Sequence, residues 1–359
     1  MEPESRARPT LAAVAQRAGV SPSTASLAFS GTGPVSDTTR DKVLQAARDL
    51  GYAGPDPRAR SLRRGRSGII AAVIPDSIRI SFLDPVLIQT LDGLADELTT
   101  IGASLLLIPD TGDGEESVAQ APVDAVVLMG CSDSSPSMIE ALGRRGIPVV
   151  SIEGVEAPGF VAVNVDNRDG ERMAAEYVRS LGHTRVAQVA LQTTRGGERG
   201  FVGANEWRSL VTVQSTRERW IGADEIYPGI RTWATRGSRI EEGHRGGMAL
   251  LDVPADERPT AILAQSDLLA AGVIGAAEEL GLSVPGDLSV IGFDGIRVEG
   301  LGHDLSTVVQ PSRPKGVAAG RILRSMLAGE AADEANFPVR LHPGGTVAAP
   351  HGEHRSEKS

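Results

Sequence analysis

The chain of 359 residues holds one cysteine, Cys131, so neither an intramolecular disulfide nor a cysteine-based metal site can form. Long apolar runs are missing too. The longest, at 69–75 and 125–129, fall far short of the roughly 20 residues that a bilayer span needs. The opening Met1-Glu-Pro-Glu-Ser-Arg lacks the apolar stretch of a signal peptide, so the expectation is a cytoplasmic protein with no membrane partner. There is no internal repeat and no low-complexity tract. No glycine-rich phosphate loop follows the first strand-like run, and no Gly-x-Ser-x-Gly elbow occurs. The six histidines are scattered, and His183, after Gly182, reads as a helix-end cap rather than a catalyst. Enzyme readings therefore fare poorly, and neither a metal nor a cofactor is expected.

What the chain has is length enough for two or three domains and an uneven charge. Residues 1–68 carry 11 Lys or Arg against 6 acids, whereas the whole chain has a net charge of -10. A basic head on an acidic body directs a polyanion to the head. That head reads as short helices. Thr10 caps a first helix bearing Leu11, Val14, Ala15 and Ala18, Gly19 breaks it, and Ser21-Pro22 starts a second. Ser36 caps a third helix carrying Val43, Leu44, Ala47 and Leu50, stopped by Gly51. Three short helices with a tight turn fit a helix-turn-helix. Residues 54–68 contain one large apolar side chain, Leu62, among five arginines, too little for a core.

From Gly68 onward apolar strands alternate with amphipathic helices, the pattern of parallel α/β sheets covered on both faces. Strands are expected at 69–74, 104–108, 125–129, 149–152, 160–165, 186–190, 261–264 and 288–293. Helices are expected at 86–98, 170–181, 245–251, 268–280 and 316–327. The span from Ile108 to Asp124 looks too short for a full crossover helix. Residues 192–245, with all three tryptophans, give no clear pattern.

The run Thr10-Leu-Ala-Ala-Val-Ala-Gln-Arg-Ala-Gly-Val-Ser-Pro-Ser-Thr-Ala-Ser-Leu-Ala-Phe-Ser, then Val35-Ser-Asp-Thr-Thr-Arg-Asp-Lys-Val and Leu50-Gly-Tyr, resembles the head of the lactose repressor (LacI/GalR) family. The resemblance continues through Ala59-Arg-Ser-Leu62, similar to that family's hinge helix. It extends into the body through Val123-Asp-Ala-Val-Val, Gly146-Ile-Pro-Val-Val, Val165-Asp-Asn-Arg-Asp-Gly170 and Gly281-Leu-Ser-Val-Pro-Gly-Asp-Leu-Ser-Val-Ile-Gly-Phe-Asp294, and spans roughly residues 9–348. It implies a DNA-binding head at 9–53, a hinge at 54–68, and a two-lobed body like a periplasmic binding protein at 69–348, with a disordered tail at 349–359. Lobe one would take 69–166 and 311–329, and lobe two 167–310 and 330–348.

By this resemblance Thr10, Ser21, Thr24, Ser26 and Ser30 meet the DNA backbone or nearby base edges, while Pro22, Ser23 and Leu27 read bases. Leu27 departs from the arginine common at that position; leucine packs on a thymine methyl instead of bonding guanine. Leu62 would be a minor-groove wedge beside the small Ala59. In the cleft, Asp294 would accept hydrogen bonds from ligand hydroxyls, with Gly295 standing where a second Asp is usual. Phe82, Asp84 and Ser266 would line the site, and Asp267 would cap a helix. A pocket arginine is expected three residues before a glycine; Arg195 and Arg199 compete for it, and Trp220 is the candidate for stacking on a sugar ring. The resemblance implies a homodimeric repressor that binds a pseudo-palindromic duplex operator and responds to a small molecule, a sugar or sugar derivative. Two other classes stay open: a body that senses a protein partner, and an α/β sugar-acting enzyme with a DNA-binding head.

Overall fold

The computed structural model describes residues 9–30, 33–54, 65–75, 77–110, 118, 120–130, 136–154, 156–194 and 196–350. Ala59, Leu62 and Arg195, and residues 351–359 of the expected tail, lie outside them. The chain forms two compact units that divide between Gly68 and Ile69.

The first unit contains α1 (Leu11–Ala18), α2 (Pro22–Ser30) and α3 (Asp37–Leu50). The capping residues act as expected: Thr10 accepts from the Ala13 amide, Ser36 accepts from the Thr39 amide, and Gly19 and Gly51 end their helices in the left-handed region. Val14, Ala15, Ala25, Ala28, Val43, Ala46 and Ala47 form a small shared core. An edge-to-face contact of Phe29 with Tyr52, ring centroids 5.6 Å apart, closes one end.

In the second unit the elements run β1 (Ile69–Ile74), α4 (Ile78–Ser81), α5 (Pro85–Thr100), β2 (Ser104–Pro109), β3 (Ala125–Met129), α6 (Pro136–Arg145), β4 (Val149–Ile152), β5 (Phe160–Val165), α7 (Asn167–Ser180) and β6 (Val186–Ala190). Then follow β7 (Gly200–Val202), α8 (Trp207–Leu210), α9 (Gln214–Ile226), β8 (Arg231–Ala234), α10 (Ile240–Leu251), β9 (Ala261–Ala264), α11 (Asp267–Glu279), β10 (Ser289–Asp294), β11 (Ser306–Val309), α12 (Ser312–Leu327), β12 (Ala335–Phe337) and β13 (Arg340–His342). Two sheets result. Lobe one has the order β12-β5-β4-β3-β1-β2, and lobe two β13-β11-β10-β9-β6-β8-β7. All pairings are parallel except at the two edges of lobe two, where β13 and β7 run antiparallel. The central strands are buried on both faces, which is why they read as unbroken apolar runs.

The chain passes between lobes at 165–167, at 309–312 and at 337–340. The last passage corrects the boundary expected at residue 330. β12 pairs in parallel with β5, Ala335 opposite Val163, because the edge of β5 needs a partner, and only β13 returns to lobe two. The span before Asp124 contributes helical backbone at Val118 and Gln120, and 111–117 lie outside the described residues.

Three helix pairs cover the sheets at close range: α5 with α12, α7 with α9, and α10 with α11. Each contact is made at glycine. A Cβ added to Gly316 would overlap the Thr90 carbonyl, and one added to Gly222 would overlap the Arg168 carbonyl. Gly143, on α6, faces open space. Gly316→Ala should therefore destabilise the body by about 1–3 kcal/mol or more. Gly143→Ala, relieved of helical glycine alone, should be neutral or stabilising by up to about 1 kcal/mol. Urea midpoints of the two variants check this, and equal shifts would contradict the close packing.

Candidate functional site

In the head, α2 turns one stripe inward, through Ala25 and Ala28, and leaves Ser21, Pro22, Ser23, Leu27 and Ser30 exposed, with Thr24 and Ser26 half-exposed. The Ser21 hydroxyl accepts from the Thr24 amide at 3.1 Å and bonds the Ser23 and Thr24 hydroxyls. The helix start is thus rigid and its outward face consists of small polar groups. Leu27, 38% exposed, is the one large apolar side chain on that face. A short, preorganised helix with a mixed hydroxyl and methyl face has the dimensions and chemistry to enter a major groove.

In the body, the C-terminal ends of both sheets face one cavity, which encloses about 1140 Å³ including its open mouth. Its wall takes Pro75 after β1, Gly130 after β3, Glu153 after β4, Gln192 beyond β6, Ser266 beyond β9, Asp294 at the end of β10 and Gln310 after β11. Ligands gather at such strand ends because the diverging loops leave a crevice there.

Three of the sequence-expected residues meet in this cavity. Asp84 caps α5, its Oδ1 accepting from the Val86 and Leu87 amides. Ser266 caps α11 and bonds the Ser238 hydroxyl at 2.8 Å. Asp294 is buried and accepts from the Gln310 side-chain amide at 2.6 Å.

Three others do not line it. Phe82, at the end of α4, is 57% exposed and does not reach the cavity, whose wall takes its neighbours, the buried Ser81 and the exposed Leu83, instead. Trp220 is fully buried and stacks on Trp207, centroids 5.3 Å apart, because the underside of α9 needs apolar volume. Arg199 is drawn off by the buried Glu242, bonding it at 2.8 Å. Nor does His183 cap a helix: its ring bridges the Thr260 hydroxyl and the Ala348 carbonyl, at 2.8 and 2.7 Å, fastening the end of the described chain to lobe two. Asp267 lies one residue inside α11 and accepts from the Ile296 amide and the Thr307 hydroxyl.

The cavity takes two arginines, Arg239 and, on α9, Arg219, and it is Arg219 that satisfies the expected spacing, since Gly222 follows three residues later. Arg219 is also the more deeply engaged. Its guanidinium lies 3.6 Å over the Phe293 ring, donates to Asn167 Oδ1 at 2.8 Å, bonds the Gln265 carbonyl, and stands 3.7 Å from Asp294 Oδ1. Lys315 was equally hidden in the sequence. It is buried on α12, where its Nζ donates to Glu153 Oε2 and to Gln310 Oε1.

These two cations serve several buried carboxylates. Burial pushes Glu153 up, but the charges of Lys315 and Arg219 and the bonds from Lys315 and Asn167 outweigh it and hold this carboxyl below its usual range. For Asp294 burial wins over Arg219, and its pKa is pushed up to about 7. Glu171, buried beneath Arg219 with the Gln188 amide at 3.4 Å, likewise rises to about 7 through burial. Burial and the neighbouring Asp294 raise Asp267 well above its ordinary value. A carboxyl whose folded pKa is raised binds its proton more tightly in the folded state, so stability falls as pH climbs from the unfolded value through the folded one. Glu171→Gln should match the parent near pH 4 and gain on it by on the order of 2–3 kcal/mol near pH 8. Denaturant titrations at the two pH values test this; a gain independent of pH would show that Glu171 has the same pKa in the folded and unfolded states.

The comparisons with known proteins agree with this geometry. Residues 10–54 match the model for bacterial regulatory proteins of the lacI family, and residues 175–347 match that for a periplasmic binding protein-like domain. The HTH-type transcriptional regulator IpsA of Corynebacterium glutamicum is 32% identical over 356 residues, covering 94% of this chain and 97% of that one. A crystal structure of a LacI-family transcriptional regulator from the same organism is 28% identical with a TM-score of 0.71, covering 96% and 100% of the two chains. The lac repressor dimer bound to operator and the anti-inducer ONPF, 23% identical, shares the fold with a TM-score of 0.73 over 96% and 100%. A helix-turn-helix head, a two-lobed body with a cavity at its strand ends, and full-length similarity to such regulators together place this chain in the LacI family of bacterial transcriptional regulators.

Proposed function

We propose that the protein is a cytoplasmic, ligand-responsive repressor that binds a pseudo-palindromic duplex operator as a homodimer and takes an uncharged, hydroxyl-rich small molecule, a sugar or sugar derivative, in the cleft of its body. The observation that carries this reading is Asp294: a buried carboxyl at a strand end, in the wall of a cavity formed at the ends of both sheets. Its oxygens can accept hydrogen bonds from adjacent ligand hydroxyls, and the wall carries three acids, Asp84, Glu153 and Asp294, against three bases, Arg219, Arg239 and Lys315, so a charged ligand finds no surplus of opposite sign there. The helix α2 supplies the DNA-reading face, with Ser21, Thr24, Ser26 and Ser30 at the DNA backbone or nearby base edges and Pro22, Ser23 and Leu27 at bases, while Thr10, at the start of α1, meets a phosphate. Ala59 and Leu62 fill the groove at the operator centre. The lac repressor dimer on its operator supports the two-fold assembly, and the absence of a helix long and apolar enough to cross a membrane among the described residues fits a protein that meets chromosomal DNA. A role in turnover is disfavoured because the relatives are named as regulators.

A thermal-stability screen of neutral sugars, polyols and nucleosides tests the reading. At least one compound should raise the melting temperature of the parent protein. Asp294→Ala should lose on the order of 1–3 kcal/mol of that binding, one to two decades in Kd by calorimetry. Unchanged affinity would remove Asp294 from the ligand site. On the DNA side, Leu62→Ala should weaken cognate binding more than nonspecific binding, because only a kinked operator gains from a wedge. Equal losses, measured by fluorescence anisotropy, would make Leu62 a packing residue.

A further inference from the structure

Six side chains close a ring through the hinge. Lys315 bonds Glu153, both in lobe one, and Arg219 faces Asp294, both in lobe two. Two amides join the halves. Gln310 accepts from Lys315 through Oε1 at 2.5 Å and donates to Asp294 through Nε2 at 2.6 Å. Asn167 accepts from Arg219 through Oδ1 and donates to Glu153 through Nδ2, each at 2.8 Å. Gln310 and Asn167 stand in two of the three segments where the chain passes between lobes. The third passage is tied to the first, because Asn336 bonds Asp166 and the Asp166 amide donates to the Phe337 carbonyl at 3.0 Å.

We infer that this ring is a lock that fixes the angle between the lobes, so that the hinge has a defined position rather than a free swing. Alternation around the ring carries the argument. Each amide stands between a cation and a carboxylate, and an uncharged amide offers an acceptor to one and a donor to the other from two separate atoms. Opening the hinge would pull a buried carboxylate or cation from a partner matched to it in charge and hydrogen bonding, which is costly for ions so far removed from bulk water. Both carboxylates sit on backbone of positive φ, 49° at Glu153 and 126° at Asp294, a conformation unfavourable for any residue but glycine. Such strain persists where surrounding contacts over-determine it, and the ring supplies those contacts. The inference stands whatever molecule the cleft takes.

The test exchanges the polarity of the links. Gln310→Glu keeps the bond to Lys315 but sets two carboxylates against each other at Asp294; Asn167→Asp does the same at Glu153. Each swap has a matching repair, Gln310→Glu with Asp294→Asn and Asn167→Asp with Glu153→Gln, which restores the donor on the opposite side. Spin labels on Glu140→Cys of lobe one and Asp256→Cys of lobe two, in full-length Cys131→Ser protein diluted with unlabelled chain, report the lobe separation by pulsed electron paramagnetic resonance. The parent should give one narrow distance distribution, either single swap a broadened or displaced one, and either repaired pair the parent distribution again. Circular dichroism establishes which variants are folded, and if one swap does not fold, the other arm decides. Folded single swaps that melt earlier but keep the parent distribution would overturn the lock, as would folded repaired pairs that remain broadened.

Discussion

Burial of two cations, Arg219 and Lys315, at the hinge is the constraint on which the body depends. Each is almost wholly removed from water, and an ion so placed is tolerated only when matched in charge and hydrogen-bonded. Their matching partners come from different elements. Glu153 ends a lobe-one strand, Asp294 ends a lobe-two strand, and Asn167 and Gln310 lie where the chain changes lobes. Satisfying two cations therefore requires β4, β10, α7, α9 and α12 to be placed together. Removing one partner of such a buried set costs about 3–5 kcal/mol, a large share of a domain's net stability.

The same elements carry the helix contacts made at glycine. α12 reaches the hinge with Lys315 and, one residue on, packs against α5 through Gly316. α9 brings Arg219 to the cavity and packs on α7 through Gly222, and α7 begins with Asn167. Close approach of the backbones sets how far each charged side chain reaches into the hinge. A side chain of fixed length meets its partner at hydrogen-bonding distance only if the helix axis is held to within a fraction of an ångström, and backbone contact gives that tolerance better than interdigitated side chains do.

The architecture was legible in the sequence because it is written in apolar periodicity. Eight strands were legible as short, mainly apolar runs, and the head is written in caps, Thr10, Ser21 and Ser36, and in the stops Gly19 and Gly51. β8 and β11, which open on Arg231-Thr232 and Ser306-Thr307, escaped notice, as did β7, β12 and β13, with three residues each and no buried run. The site was less legible for a physical reason. Sequence reasoning sends charge to the surface, and here Arg219, Lys315 and Glu153 go to the interior. α9 buries Ser215, Thr216 and Arg219 on the same side as Trp220, so its inward face has no apolar stripe to detect. The signal that finds Arg219 is its spacing from Gly222, a packing requirement. Conversely, Trp220 and Arg199 suggested a ligand by residue type but are engaged by Trp207 and Glu242. Asp294 was found because its position at a strand end, rather than its type, identified it.

The division of charge gives the head and the body different relations to DNA. The body, residues 69–359, is strongly acidic and repels a duplex, while the head is basic. Attraction is thus confined to the small unit and its following arginines. Nonspecific affinity comes almost wholly from phosphate charge and so rests on them. An electrostatic penalty common to every site lowers specific and nonspecific binding alike and cancels from their ratio, the quantity that decides occupancy on a genome. Specificity is therefore left to base contacts and to deformation of the operator, while the division of charge sets the absolute affinity and its dependence on salt.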